Sequence, residues 1–180
     1  MSTLFVNNLN TASGSTITIP TGKKIIGTDN STFVAPGMIL QTVQTVSRTQ
    51  VTENTTSYVE AHTNFRCSIT PKFSNSKLLI TATLGLNGYN NTGNDCNIHC
   101  KLYDVTNSAD IANSETNIRE IDYGGSGNSI SAVPTCILLV DFQNANEHTI
   151  TWYYKRSTSL YVLVNDDTKY TQIMLQEIAQ

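Results

Sequence analysis

The residues with reactive side chains are few, and their spacing decides what they can do. Cys96 and Cys100 flank His99 in the run CNIHC, and His62, His148, Cys67 and Cys136 stand elsewhere in the chain. A structural zinc site needs such thiolates and imidazoles to converge on one tetrahedral centre. On a strand, however, Cys96, Ile98, Cys100 and Leu102 share one face while Asp95, Asn97, His99 and Lys101 share the other, so His99 points away from both thiols. Cys67 and Cys136 also fall on the apolar phase of their segments, where free cysteine behaves as a small hydrophobe. The first reading is therefore buried reduced thiols, with a disulfide second and a metal third. No metal and no cofactor is expected.

Catalytic constellations are equally thin. Serine, histidine and aspartate are all present, but no nucleophile elbow, Gly-rich phosphate loop or HExxH run occurs. Glu115, Glu120 and Asp122 could supply the paired carboxylates of a glycoside hydrolase, yet they lie in the segment 105–129, whose plain reading is a solvated loop. The chain is expected not to be an enzyme.

The elements that must position these residues are strands. In FRCSITPKFSNSKLLITATLGL, Phe65, Cys67 and Ile69 alternate with Arg66, Ser68 and Thr70, and Leu78, Ile80, Ala82, Leu84 and Leu86 resume the alternation after the turn residues PKFSNS. This pattern is expected to form a hairpin. Further candidate strands fall at about 38–46, 57–70, 77–87, 95–104, 130–142, 148–156, 159–165 and 169–178. Eight strands without a helical period predict an all-β antiparallel β-sandwich, jelly-roll-like, in residues 37–180. Trp152 shares a face with Ile150 and Tyr154, so the chain's one tryptophan is expected between the sheets. Strand 130–142 is apolar on both faces, with Ile137 and Leu139 opposite Cys136, Leu138 and Val140. Both faces then need a cover, which hints at oligomerisation.

Residues 1–36 differ from the rest. Short apolar pieces at 4–6, 17–19, 25–26 and 33–34 are separated by turn-rich clusters, and Pro36-Gly37 marks the boundary. Such pieces cannot bury an apolar side alone, so this N-terminal β-rich segment is expected to attach to a partner surface or fold back on the main domain.

Loops on a sandwich carry its binding functions. If each strand reverses direction, loops 47–56, 87–94, 143–147 and 166–168 share one end, which gathers Tyr89, Asn90, Asn91, Asn94, Asn144, Asn146, Glu147, Asp166 and Asp167. Aromatic rings stack on sugars and amides bond hydroxyl groups, so this set reads as a glycan or receptor site; its carboxylates could alternatively hold Ca²⁺. Asn and Asp also populate hairpin tips for turn reasons alone.

Composition excludes other classes. Ser, Thr and Asn make up 61 of 180 residues, and charged residues only 14%, which suits a neutral extracellular β-surface. A net charge of −3 with 11 scattered Lys and Arg leaves no footprint for nucleic acid. The longest apolar run, 136–140, is too short to span a bilayer, and no signal peptide is visible at the start, so membrane insertion is not expected. The sequons at Asn30, Asn54 and Asn90 match the glycosylation pattern.

APGMILQTVQTV (35–46), SITPKFSNSKLLITATL (68–84) and YTQIMLQEIA (170–179), in that order, resemble C-terminal domains of tail-fibre and virion-surface proteins of bacteriophages, especially marine and cyanophage-like ones. The resemblance spans most of 36–180, and MSTLFVNNLNTASGSTITIPTGKK resembles the N-terminal segment of such proteins. It implies a phage virion structural protein, made in the host bacterial cytoplasm and located in the virion. The role implied is a short tail or head fibre, or fibre tip, that contacts the host surface. A capsid decoration protein is the alternative, and a glycan-binding lectin or polysaccharide depolymerase a further one. The resemblance also implies a homotrimer joined to other virion proteins through residues 1–36. A reducing cytoplasm agrees with free thiols.

Overall fold

The computed structural model describes Thr21 and residues 34–52, 55–90, 96–120, 128–156, 161–165 and 169–180; the attachment segment 1–36 falls almost wholly outside them. All described residues except Thr21 belong to one compact unit, Val34–Gln180. Its strands are β1 (Ile39–Ser47), β2 (Val51–Thr52), β3 (Val59–Glu60), β4 (Cys67–Ile69), β5 (Lys77–Thr83), β6 (Leu86–Asn90), β7 (Cys96–Asp104), β8 (Ala109–Asp110), β9 (Thr116–Glu120), β10 (Asn128–Ala132), β11 (Thr135–Val140), β12 (His148–Arg156), β13 (Tyr161–Val164) and β14 (Thr171–Ile178). One short 3-10 turn, Thr63–Phe65, interrupts them, and every strand pairing is antiparallel.

The pairing shows how the chain is rolled. One sheet has the order β1-β14-β5-β11, and its continuation has the matching order β2-β13-β6-β10. Thr83 pairs with Gln172 and Thr135, while Leu86, two residues past Leu84 and Gly85, pairs with Val164 and Ala132. β1–β2, β5–β6 and β10–β11 therefore each run on through a bend as one long strand, and β13 and β14 lie alongside β6 and β5 in the same sense. The facing sheet has the order β3-β12-β7-β8, with β4 also on β12 and β9 also on β7. Taken as eight long strands, the first pairs with the eighth, the second with the seventh, the third with the sixth and the fourth with the fifth. One long antiparallel hairpin wrapped into two sheets is the jelly-roll arrangement.

Burial follows the alternation. Leu78, Ile80, Ala82, Ile173 and Leu175 from one sheet meet Ile98, Cys100, Leu102, Ile150, Trp152 and Tyr154 from the other in a single core. Trp152 is fully buried, and its indole Nε1 donates to the Thr83 carbonyl across the sandwich at 3.1 Å, so it packs between the sheets as its strand phase requires.

Three expectations change. The alternating runs in 65–86 are strands but not a hairpin, because β4 pairs with β12 in one sheet and β5 with β14 and β11 in the other. Alternation specifies which face is buried, not which strand is the neighbour. The segment 105–129 is not all loop: Ile118 of β9 pairs with Ile98 of β7, and Glu120 with Cys96. Residues 130–142 form two strands broken at Val133-Pro134, and Ile137 and Leu139 on the second remain 64% and 57% exposed.

One corner gathers all three motifs that carry the phage resemblance. Gly37, at φ +84°, donates to the Ala179 carbonyl at 2.8 Å, and Ala179 returns a bond to Met38. Glu177, on β14 and fully buried, accepts from the Lys72 and Phe73 backbone N–H groups at 2.8 and 3.2 Å and from Gln41 Nε2 at 2.8 Å. Burial alone would raise its pKa, but these donors and Ser76 outweigh that and hold the carboxyl below its ordinary range.

Candidate functional site

The bent continuation of the first sheet presents a face of its own. On β6, Leu86 and Gly88 point inward while Asn87 and Tyr89 point out; on β13, Val162 and Val164 are buried while Tyr161 and Leu163 turn outward. Strand register sets the outward residues in two rows, Ser129–Tyr89–Tyr161 and Ser131–Asn87–Leu163. Tyr89 and Tyr161 are thus cross-strand neighbours, 48% and 47% exposed. These residues, with Gly88 and Ile130, line a concavity of about 500 Å³.

The polar groups here are held in place. Lys169 Nζ donates to the Leu86 carbonyl at 2.7 Å, to Ser131 Oγ at 2.6 Å and to Asn87 Oδ1. Tyr161 Oη lies 3.3 Å from Thr52 Oγ1 on the next strand. Asn165 fixes the bend beneath: its amide donates to the Ser47 and Thr49 carbonyls at 3.0 and 3.2 Å, and its Oδ1 accepts from Thr171 at 2.9 Å. The face therefore offers two aromatic rings beside hydroxyls and an amide on rigid strands, a combination suited to the apolar faces and hydroxyl rims of sugars.

The predicted site residues do not assemble as one set. Tyr89 lies on this face; Asn90 ends β6 opposite Asn128, its side chain outside what is described, and Asn91, Asn94, Asp166 and Asp167 lie outside the described residues. Asn144, Asn146 and Glu147 precede β12 at the opposite end of the sandwich, because Ile150 pairs with Asp104 at the end of β7 while Arg156 pairs with Ile98 at its start. The length of β7, about 27 Å at 3.4 Å per residue, separates these ends. The parity argument failed because β9 is a strand it did not count, and because β13 and β14 run in the same direction, antiparallel to β6 and β5 in turn, instead of reversing.

Asn144 has a structural task. Its Nδ2 donates to the Phe142 carbonyl at 2.8 Å and its Oδ1 accepts from Asn146 N at 2.9 Å, which fixes the amide's orientation. His148 Nε2 then donates to the same oxygen at 3.1 Å, with its ring stacked 3.8 Å from Phe142. His148 Nδ1 faces Asp104 Oδ2 at 2.7 Å, and both residues are about 1% exposed. Asp104 also accepts from Thr106 N and Asn107 N, so this network ties two loops together.

The carboxylate candidates fare differently. Glu115 is 59% exposed and accepts from Tyr58 Oη at 2.6 Å, with His99 Nδ1 at 3.7 Å. The Tyr58 bond, and then the nearby His99, Lys155 and Lys101, lower its pKa, the reverse of what a glycosidase general acid needs. Burial, and then the same bond, raise Tyr58, whose ring lies 4.2 and 4.4 Å from Lys101 and Lys155 Nζ. Glu120 sits on β9, with its side chain outside the description, and Asp122 lies outside the described residues.

Cys100 is buried while His99 faces Glu115 on the outer side, as alternation expects. Burial pushes the Cys100 thiol up to about 12 and raises Cys67 and Cys136 as well, so these sulfurs are thiols, not thiolates. Tyr161, which shares the concavity with Tyr89, lies outside the set expected from the sequence, although its alternation with Val162 and Val164 points it outward.

No family model and no curated relative matches the chain. Among solved structures it is similar to the VP2 subviral particle of infectious bursal disease virus, at 10% identity and a TM-score of 0.41, over 87% of this chain and 42% of that one. It is also similar to T=1 particles derived from the same virus, at 8% identity and a TM-score of 0.40, over 87% and 41%. The chain spans less than half the length of either. The jelly-roll assignment rests on the strand pairing of this chain itself.

Proposed function

We propose that this protein is a structural component of a bacteriophage virion, a short fibre or fibre-tip module that meets a host-surface glycan with the Tyr89–Tyr161 face. The observation that carries the reading is that face: two half-exposed tyrosines on neighbouring strands, beside Ser129, Ser131 and an Asn87 anchored by Lys169. The resemblance of 36–180 to phage surface domains supports the virion part, and the wrapped-hairpin topology supplies a rigid sandwich on which such a face is held. In this reading residues 1–36 attach the module to other virion proteins, and copies of the chain associate, with three as the number the resemblance suggests.

A glycan array probed with the full chain tests the ligand. Binding to a defined set of surface glycans, weakened about tenfold or more by Tyr89→Ala and by Tyr161→Ala, is the expected result. Binding undiminished in both variants, or no glycan bound at all, would overturn the assignment of this face.

A further inference from the structure

β11 is an outer strand of its sheet, and among the described residues it pairs only with β5. Its other edge therefore carries a row of backbone N–H and C=O groups with no strand beside it among those residues. Proteins normally guard such an edge with charge, proline, a bulge or brevity, and the other outer strands here either do so or, as in β10, are polar instead. β1 is bulged between Ile39 and Gln41, and its Gln41 and Thr45 side chains reach the Thr70 and Arg66 carbonyls. β9 carries Arg119 and Glu120, β2 and β8 are two residues each, and β10 is mostly Asn and Ser. β11 has none of these devices. TCILLV is uncharged and proline-free, and its pairing with β5 is regular over all six residues. Its outward Ile137 and Leu139 are exposed, and its inward Cys136, Leu138 and Val140 are only half-buried.

We infer that β11 pairs edge to edge with β11 of a second copy of this chain, antiparallel about a twofold axis. Self-pairing is favoured because the strand complements itself. Cross-strand partners share a face, so the residue numbers of each facing pair must sum to an even number. Placing Leu138 on the axis sets Ile137 opposite the partner's Leu139 twice over, and Cys136 opposite the partner's Val140 twice over, which covers both faces of the strand. A shift of one register step either way brings Pro134 opposite Val140 or Asp141 opposite Ile137. No charge lies on β11 to steer a differently charged partner or to repel a copy of itself. A twofold pair uses the same edge of both copies and is closed, so this contact by itself yields a dimer and not a fibril. The inference stands independently of the virion reading, since it rests on the edge of β11 alone.

Sedimentation equilibrium of the full chain tests it, with far-UV circular dichroism confirming that each variant is folded. The wild type should associate in multiples of two, as a dimer through this contact alone or as a hexamer where the threefold association proposed above also forms, and a trimer would overturn the inference. Ile137→Glu and Leu139→Lys should each weaken association at least about tenfold. The double variant Ile137→Glu/Leu139→Lys, which in this register sets each new carboxylate opposite the partner's new ammonium, should regain association at low salt and lose it at high salt. A wild type that stays monomeric, an association indifferent to the single changes, or a double variant as weak as the singles would overturn the inference.

Discussion

Glu177→Gln removes one charge from the corner where the phage-like motifs meet and keeps the side chain's shape. Glu177 is fully buried, and Lys72 N, Phe73 N and Gln41 Nε2 donate to it. In the variant the first two bonds survive without charge assistance. The third cannot, because the new amide N–H₂ faces Gln41 Nε2, which is itself held as a donor by the Thr70 carbonyl at 2.7 Å. Turning the Gln41 amide to accept would sacrifice that second bond. Hydrogen bonds to charged groups are worth about 1.5–3 kcal/mol and neutral ones about 1 kcal/mol, so losing one bond and weakening two should cost about 2–3 kcal/mol at pH 7.

The same geometry fixes the pH dependence. A carboxyl whose pKa is lower folded than unfolded contributes stability that is complete above the unfolded value and is lost as pH falls through the folded value. Urea denaturation at pH 7 and at several points down to about pH 3 reads both effects. The wild type should lose stability across the acid range, and the variant should start lower and lose less. A cost below about 0.5 kcal/mol at pH 7, or an acid limb as steep as that of the wild type, would refute the reasoning.

Three further outcomes follow from other contacts. Gly85→Ala would place a Cβ 2.7 Å from Lys169 Cβ and 2.9 Å from Asn165 Oδ1, both at the bend, so it should destabilise by about 1–3 kcal/mol in thermal or urea denaturation. Asp104→Ala leaves the Thr106 and Asn107 backbone N–H groups and the Asn107 side-chain amide without their acceptor and should cost about 1–3 kcal/mol by the same assay. Gly37→Ala meets no neighbouring atom, so its cost should be only that of the left-handed φ of +84°, about 1 kcal/mol.

What the sequence revealed depended on whether a strand buries one face. β5, β7 and β14 alternate cleanly, and both their existence and their inward residues could be read directly; β12 showed its inward Ile150, Trp152 and Tyr154 but not that Thr149 and Thr151 on its other face are buried as well. β9 could not, because TNIRE holds one aliphatic residue and owes its strand form to backbone pairing with β7. Missing it inverted the loop parity, and with it the grouping of Asn144, Asn146 and Glu147 with Tyr89. Asn144 also shows how composition misleads, since an asparagine rich in ligand potential is fully occupied by Phe142, Asn146 and His148. The motifs behind the phage resemblance are neighbours in space in this chain, joined through Glu177 and Ala179, where they close the sandwich.

The most direct test of the central claim is immunogold labelling of purified phage particles with an antibody to residues 38–180, combined with the copy number per virion. The account predicts few labels, confined to the tail or to discrete fibres. Labels covering the whole head at high copy number, or no label on the particle, would contradict it.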